Sequence, residues 1–168
     1  MMLMEYAKRK HPRLKSYDYS LPGNYYVTIH LHKDAPRFSY IEQKKPLSEP
    51  AVILNEYGNS AKIQLFDLEA RYSHVKIDKY VIMPTHIHAI LQLTDPAGAS
   101  PRPTLMDVIG TYKSLTTRAI NQRFHTTGRK IFQTSFYETV LRSDAAYLEC
   151  WRYIDENPAK WLLDPDDL

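Results

Sequence analysis

At 168 residues the chain is long enough for one domain that buries roughly two thirds of its unfolded surface, so neither a metal nor a disulfide is needed merely to fold it. Its one cysteine, Cys150, excludes an intramolecular disulfide, early charges exclude a secretory signal, and no apolar run approaches the roughly 18 residues of a membrane span, so a cytoplasmic protein is expected. Twenty-two Lys and Arg against nineteen Asp and Glu leave only +3, which by itself says little about a nucleic-acid partner.

In chain order, Lys8, Arg9, Lys10, Arg13 and Lys15 make a basic amino-terminal arm over residues 1–20. Pro22-Gly23-Asn24 signals a turn, and Tyr25 to Leu31 alternates as a first strand, with Tyr25, Val27, Ile29 and Leu31 on one side and Tyr26, Thr28 and His30 on the other. Residues 34–50, with Pro36, Pro46 and Pro50, read as irregular. A helix fits Asn55 to about Tyr72, because Tyr57, Ala61, Leu65, Leu68 and Tyr72 recur at helical spacing behind an Asn55 cap. Val75 to Met83 is a second strand, Pro84-Thr85 a turn, and His86 to Leu93 a third strand.

Residues 94–104 read as a mobile connector. A second helix is expected from about Leu105 to Phe124, with Leu105, Ile109, Tyr112, Leu115 and Ala119 as its apolar stripe and Lys113 and Arg118 as basic groups. Ile131 to Leu141 follows as a fourth strand, and Asp144 to Glu156 as a third helix stopped by Asn157-Pro158. The order β-α-β-β-α-β-α predicts an α+β fold: a ferredoxin-like antiparallel sheet with an added C-terminal helix, in a single domain spanning 1–168.

The chemistry concentrates on the third strand. Alternation puts His86, His88, Ile90 and Gln92 on one face and Ile87, Ala89, Leu91 and Leu93 on the other, so a core anchors one side while two imidazoles share the other. Imidazole is among the commonest metal ligands, and a strand fixes its direction, although two histidines this close can also be mere strand decoration. On the third helix Tyr153 and Asn157 are four positions apart and therefore stacked on one side. A carboxamide oxygen suits Mg²⁺ or Mn²⁺ and a phenol can act as a nucleophile, yet Asn before Pro is a common helix stop and Tyr often serves packing. Tyr112 is a rival phenol, but it falls on an apolar stripe. His30 and His32 form a second pair on strand one, which would neighbour strand three. Four imidazoles would then suit a zinc-type hydrolase. His11, His74 and His125 carry no assigned role. Thirteen tyrosines fit half-buried strand faces or stacking on unpaired bases.

Several stretches carry a family resemblance. Tyr80-Val81-Ile82-Met83-Pro84-Thr85-His86-Ile87-His88 resembles the histidine-hydrophobic-histidine (HUH) motif of single-tyrosine transposases, nearest the REP-associated branch. Arg152-Tyr153-Ile154-Asp155-Glu156-Asn157-Pro158 is similar to their nucleophile helix. Tyr17-Asp18-Tyr19-Ser20, Gly23 to Ile29, Ile131-Phe132-Gln133 and Phe136-Tyr137-Glu138 extend the likeness over roughly residues 13–160. The family pattern often has Asn at position 85, Arg at 134 and His at 139, where this chain has Thr85, Thr134 and Thr139.

The resemblance implies a metal-dependent endonuclease and strand transferase acting on single-stranded or hairpin DNA beside a short unpaired tag, through a covalent 5′-phosphotyrosine. Carried over by position, Tyr153 is the nucleophile and His86, His88 and Asn157 hold Mg²⁺ or Mn²⁺. Lys8, Arg9, Lys10, Arg13, Lys15, Lys113 and Arg118 are expected to contact DNA. The enzyme would be a nucleoid-associated monomer or homodimer, and a nucleic-acid-binding module that has lost its chemistry is the alternative.

Overall fold

A computed structural model of the chain describes residues 13–95 and 102–164. The elements are β1 (Gly23–His30), β2 (Ser39–Glu42), β3 (Ala51–Leu54), α1 (Glu56–Arg71), β4 (Val75–Ile82), β5 (His86–Leu93), α2 (Leu105–Arg123), β6 (Tyr137–Leu141) and α3 (Asp144–Leu163). Four strands form one antiparallel sheet in the order β4-β5-β1-β6, the ferredoxin-like arrangement with two crossover helices and the predicted added helix. Among the described residues no helix is long and apolar enough to cross a membrane.

Alternation decides what each face of this sheet buries. Val27 and Ile29 of β1 with Ile87, Ala89 and Leu91 of β5 pack against Ala61, Leu65 and Leu68 of α1 and Val108, Ile109 and Tyr112 of α2. The other face carries Tyr26, Val81, Ile90 and Leu141, which pack against Cys150, Ile154 and Trp161 of α3. Both sides of β5 are therefore covered, and a shift of one residue would exchange its histidines with its core aliphatics. The helix starts are set by polar caps: Asn55 and Ser143 each accept from the backbone N–H three residues on, and Thr104 with Asp107 forms a capping box.

Three expectations from sequence are corrected. The segment 34–50 is not wholly irregular, because Ser39–Glu42 pairs with Ala51–Leu54 and the prolines lie outside these two strands. The fourth strand is regular only over Tyr137–Leu141. Phe132 pairs with Leu31 and Tyr137 with Thr28, so five steps of chain face three on β1, and the excess bulges out as residues 133–136. The third helix does not stop at Asn157-Pro158 but continues to Leu163. Pro158 removes one helical hydrogen bond, a defect of about 3 kcal/mol, offset by burial of Asn157, Pro158 and Trp161 against the sheet. The amino-terminal arm is anchored at its inner end, where Tyr19 is buried and donates to Glu138 Oε1 at 2.9 Å. Residues 1–12 and 96–101, which include much of the arm and the connector, lie outside the described residues.

The hairpin is held to α1 by a close approach at Gly58. A Cβ there would lie 2.0 Å from the Phe38 carbonyl oxygen, an atom that also accepts from Asn55 N–H. Substituting alanine in a helix ordinarily stabilises it by about 1 kcal/mol, but here the backbone clash is expected to reverse the sign. Gly58→Ala should cost about 1–3 kcal/mol and lower the thermal unfolding midpoint by several degrees. A midpoint equal to or above that of the unsubstituted protein would show that the Phe38 segment yields freely.

Candidate active site

The β1–β5 register places His30 opposite His86 and Thr28 opposite His88. Leu31 N–H donates to Thr85 O at 2.9 Å, which makes His30–His86 the adjacent non-hydrogen-bonded pair, the type in which facing side chains approach most closely. The His86 and His88 rings lie 4.6 Å apart between centroids, and both are essentially buried, with 1% and 5% of their surface exposed. His88 Nδ1 is 2.8 Å from the Tyr26 hydroxyl and 2.9 Å from Thr28 Oγ1, so two hydroxyls from β1 fix the ring and leave Nε2 for a ligand. His86 Nδ1 faces Thr85 Oγ1 at 3.2 Å, and its Nε2 points across to Asn157 Oδ1 at 3.4 Å.

Continuation of α3 past Pro158 is what brings Asn157 here. Its side chain is wholly buried, and its Nδ2 has no hydrogen-bond partner. One turn earlier the half-buried Tyr153 ring stands edge-on to His88 at 5.4 Å and to Tyr26 at 6.4 Å. One turn later Trp161 closes over His86, 6.1 Å between centroids. His86, His88, Tyr153 and Asn157, distant in sequence, thus meet between the sheet and α3.

Burial keeps the imidazoles neutral. It pulls His86 down to about 4, the nearby His30 imidazole adding in the same direction while Asn157 opposes, and it holds His88 well below the ordinary histidine range, aided by His86 and His30. Neutral imidazole is the ligating form. Burial also raises the Tyr153 phenol above its usual value, with Asn157 pulling the other way.

The donor set fits a divalent cation. Among the described residues no three His, Cys, Asp or Glu side chains converge on a common point; the further oxygen that the fold brings to the imidazoles is that of the Asn157 amide. Two donors each about 2.1 Å from a shared ion lie about 3.0–3.4 Å apart; the His86 Nε2 to Asn157 Oδ1 separation of 3.4 Å falls in that range and is long for a hydrogen bond. The four-imidazole alternative is not formed: His30 reaches His86, at 5.7 Å between centroids, while His32 lies beside Asp34. Tyr112 is core, its hydroxyl donating to Ala61 O at 3.3 Å.

A sequence model of the IS200-like transposases matches residues 51–157, a span that includes both histidines, Tyr153 and Asn157. The chain belongs to the IS200-like transposase family. An uncharacterized protein of Haemophilus influenzae is 29% identical over 172 residues, covering 93% of this chain and 91% of the relative. The fold is that of a REP-associated tyrosine transposase solved bound to a REP hairpin, with TM-score 0.59, 18% identity, and coverage of 88% of this chain and 73% of that one. It is shared with a crystal structure from Deinococcus radiodurans at TM-score 0.51, 15% identity, and coverage of 87% and 96%.

Within this transposase fold the expected DNA contacts separate. Lys8, Arg9 and Lys10 lie outside the described residues. Arg13 and Lys15 are exposed, the Arg13 guanidinium 5.5 Å from the Phe136 ring centre. Arg118 is exposed on α2, across the sheet from the histidines. Lys113 donates to the carbonyls of Gln133 and Thr134, at 2.5 and 2.9 Å, and so holds the bulged segment in place. Tyr26, Thr28 and Trp161 were missed as site residues. Alternation on strand one already put Tyr26 and Thr28 on the His30 side, so the signal existed for those two.

Because folding keeps His86 and His88 from protonating, their stability contribution is fully present above about pH 6.5 and is lost as pH falls toward 4. For His86 alone the loss is on the order of 3 kcal/mol. Denaturant unfolding with a chelator present should show the midpoint falling across this window, and less steeply in His86→Gln. A midpoint flat between pH 6.5 and 4 would mean that these rings are not held neutral by the fold.

Proposed function

We propose that the protein is a divalent-cation-dependent DNA strand transferase of the REP-associated kind, cutting single-stranded DNA at or near hairpins with Tyr153 as nucleophile and working in the cytoplasm on chromosomal DNA. The observation that carries this reading is the placement of a half-buried phenol 5.4 Å from the His88 ring, on the same helical side as Asn157. Membership of the IS200-like transposase family supports it, as does a fold shared with a protein solved on a REP hairpin.

His86, His88 and Asn157 would hold Mg²⁺ or Mn²⁺, and the bound ion would supply charge neutralisation at the scissile phosphate. The remaining work falls to the chain. Tyr26 and Thr28 orient His88 so that one ring nitrogen is free to ligate. Tyr153 Oη attacks phosphorus, the P–O3′ bond breaks, the phenol gives up its proton and the departing oxygen ends as a 3′-OH. The link formed is again a phosphodiester, so a 3′-OH can reverse the step on another end without an external energy source. Exposed Arg13, Lys15 and Arg118, together with Lys8, Arg9 and Lys10, would contact phosphates. Lys113 would join them only by releasing its two carbonyls.

Incubation with Mn²⁺ and hairpin oligonucleotides taken from the flanks of its own gene, followed by denaturing gels, should reveal a protein-DNA adduct that Tyr153→Phe abolishes. Tight binding with no adduct would favour a binding module without catalysis, and an adduct persisting in Tyr153→Phe would place the nucleophile elsewhere. Thr28→Val combined with Tyr26→Phe leaves all three proposed ligands intact but releases the His88 ring. Mn²⁺ affinity, measured by calorimetry, should weaken about 10- to 100-fold; an unchanged affinity would remove His88 from the ligand set.

A further inference from the structure

Lys160 lies on the turn of α3 that Pro158 was expected to abolish. Because the helix continues, positions 153, 157 and 160 fall along one side of it, and Lys160 Nζ stands 4.6 Å from the centre of the Tyr153 ring. Its ion-pair partner is Glu156, 3.1 Å away, with the two side chains 39% and 50% exposed. Exposed pairs of this spacing are worth only about 0.3–0.5 kcal/mol. An ammonium-to-phosphate bond is charge-assisted and stronger, so an arriving phosphate would draw Lys160 from Glu156. Burial of Pro158 and Trp161 fixes the turn itself, and only the side chain has to swing. Lys79, another cation against this helix, is committed elsewhere: it pairs with Asp155 and lies 3.4 Å from the Trp151 ring centre.

We infer that Lys160 is a further catalytic residue of strand cleavage, its ammonium binding a non-bridging oxygen of the phosphate that Tyr153 attacks. The inference rests on the reading of Tyr153 as nucleophile. As the Tyr153 Oη–P bond forms and the P–O3′ bond breaks, negative charge gathers on the non-bridging oxygens, and a positioned donor there stabilises the transition state more than the ground state. Lys160 keeps its protons throughout and contributes charge alone. The same contact assists the reverse attack by a 3′-OH.

The test uses the full chain, Mn²⁺ and a labelled hairpin oligonucleotide with single-stranded flanks from beside its own gene. Single-turnover adduct formation is measured, and binding is measured separately on the Tyr153→Phe background. Lys160→Met should slow adduct formation by about 10²-fold, with DNA affinity and thermal midpoint nearly unchanged, and Lys160→Arg should recover part of the rate. Three results would overturn the assignment: an unsubstituted rate in Lys160→Met, a rate loss matched by an equal loss of affinity, or a rate loss accompanied by a lowered midpoint without recovery in Lys160→Arg. If the unsubstituted protein forms no adduct, the nucleophile reading fails and this one with it. An adduct that depends on Tyr153 but not on Lys160 removes Lys160 alone.

Discussion

The antiparallel pairing of β1 with β5 is the constraint on which the candidate site depends. It sets Thr28 against His88 and His30 against His86, and it turns both histidines toward α3. The register is strongly specified because both faces of the pair are buried and chemically different: one offers Val27, Ile29, Ile87, Ala89 and Leu91 to the α1–α2 layer, the other offers imidazoles, hydroxyls and Ile90 to α3. A slip of one residue would bury His86 and His88 among aliphatic side chains, where Tyr26 and Thr28 could no longer hydrogen-bond them. The hydrophobic core on one side therefore enforces the polar geometry on the other.

That polar geometry is incompletely satisfied. Buried polar groups in folded proteins nearly always find partners, and His88 has two within 2.9 Å on one nitrogen. Asn157 differs: it has no exposed surface, its Nδ2 lacks a partner, and its Oδ1 reaches His86 only at 3.4 Å. Its helix also tolerates an internal proline immediately afterwards. The orphaned amide and the internal proline thus sit side by side next to His86.

The elements legible in the sequence are those where a single periodicity operates without interruption. β5 alternates from His86 to Leu93 and α1 repeats every three or four residues behind Asn55, and both have nearly the boundaries expected. The failures occur where tertiary contact overrides a local signal. Pro158 is a strong helix stop in isolation but not when Trp161 beyond it can be buried. The prolines of 34–50 suggested irregularity, yet Ser39–Glu42 and Ala51–Leu54 contain none and pair across the gap. Residues 133–136 carry strand-compatible chemistry, but the Lys113 ammonium takes the carbonyls of Gln133 and Thr134. Within the site the proximity of His86 to His88 and of Tyr153 to Asn157 was visible from spacing. The support from Tyr26 and Thr28 needed the pairing of two strands separated by 55 residues of chain between His30 and His86.

Anchoring of α3 bears on how the phenol is delivered. At its start Ser143 caps the helix and the Tyr147 hydroxyl donates to Asp78 at the β4 bulge. In its middle Asp155 and Trp151 flank Lys79 of β4, and near its end Trp161 covers His86. The contacts of Tyr147, Trp151, Asp155 and Trp161 tie α3 to the sheet, so His86, His88, Asn157 and Tyr153 are brought together within one chain. Exchange of the helix with a second copy would require all of them to break and re-form at once. The buried ones, at Trp161, Ile154 and Asn157, would expose apolar surface and an amide during the transfer. The physical consequence is a helix fixed to the sheet along most of its length, with Tyr153 and Lys160 on a half-buried edge of it.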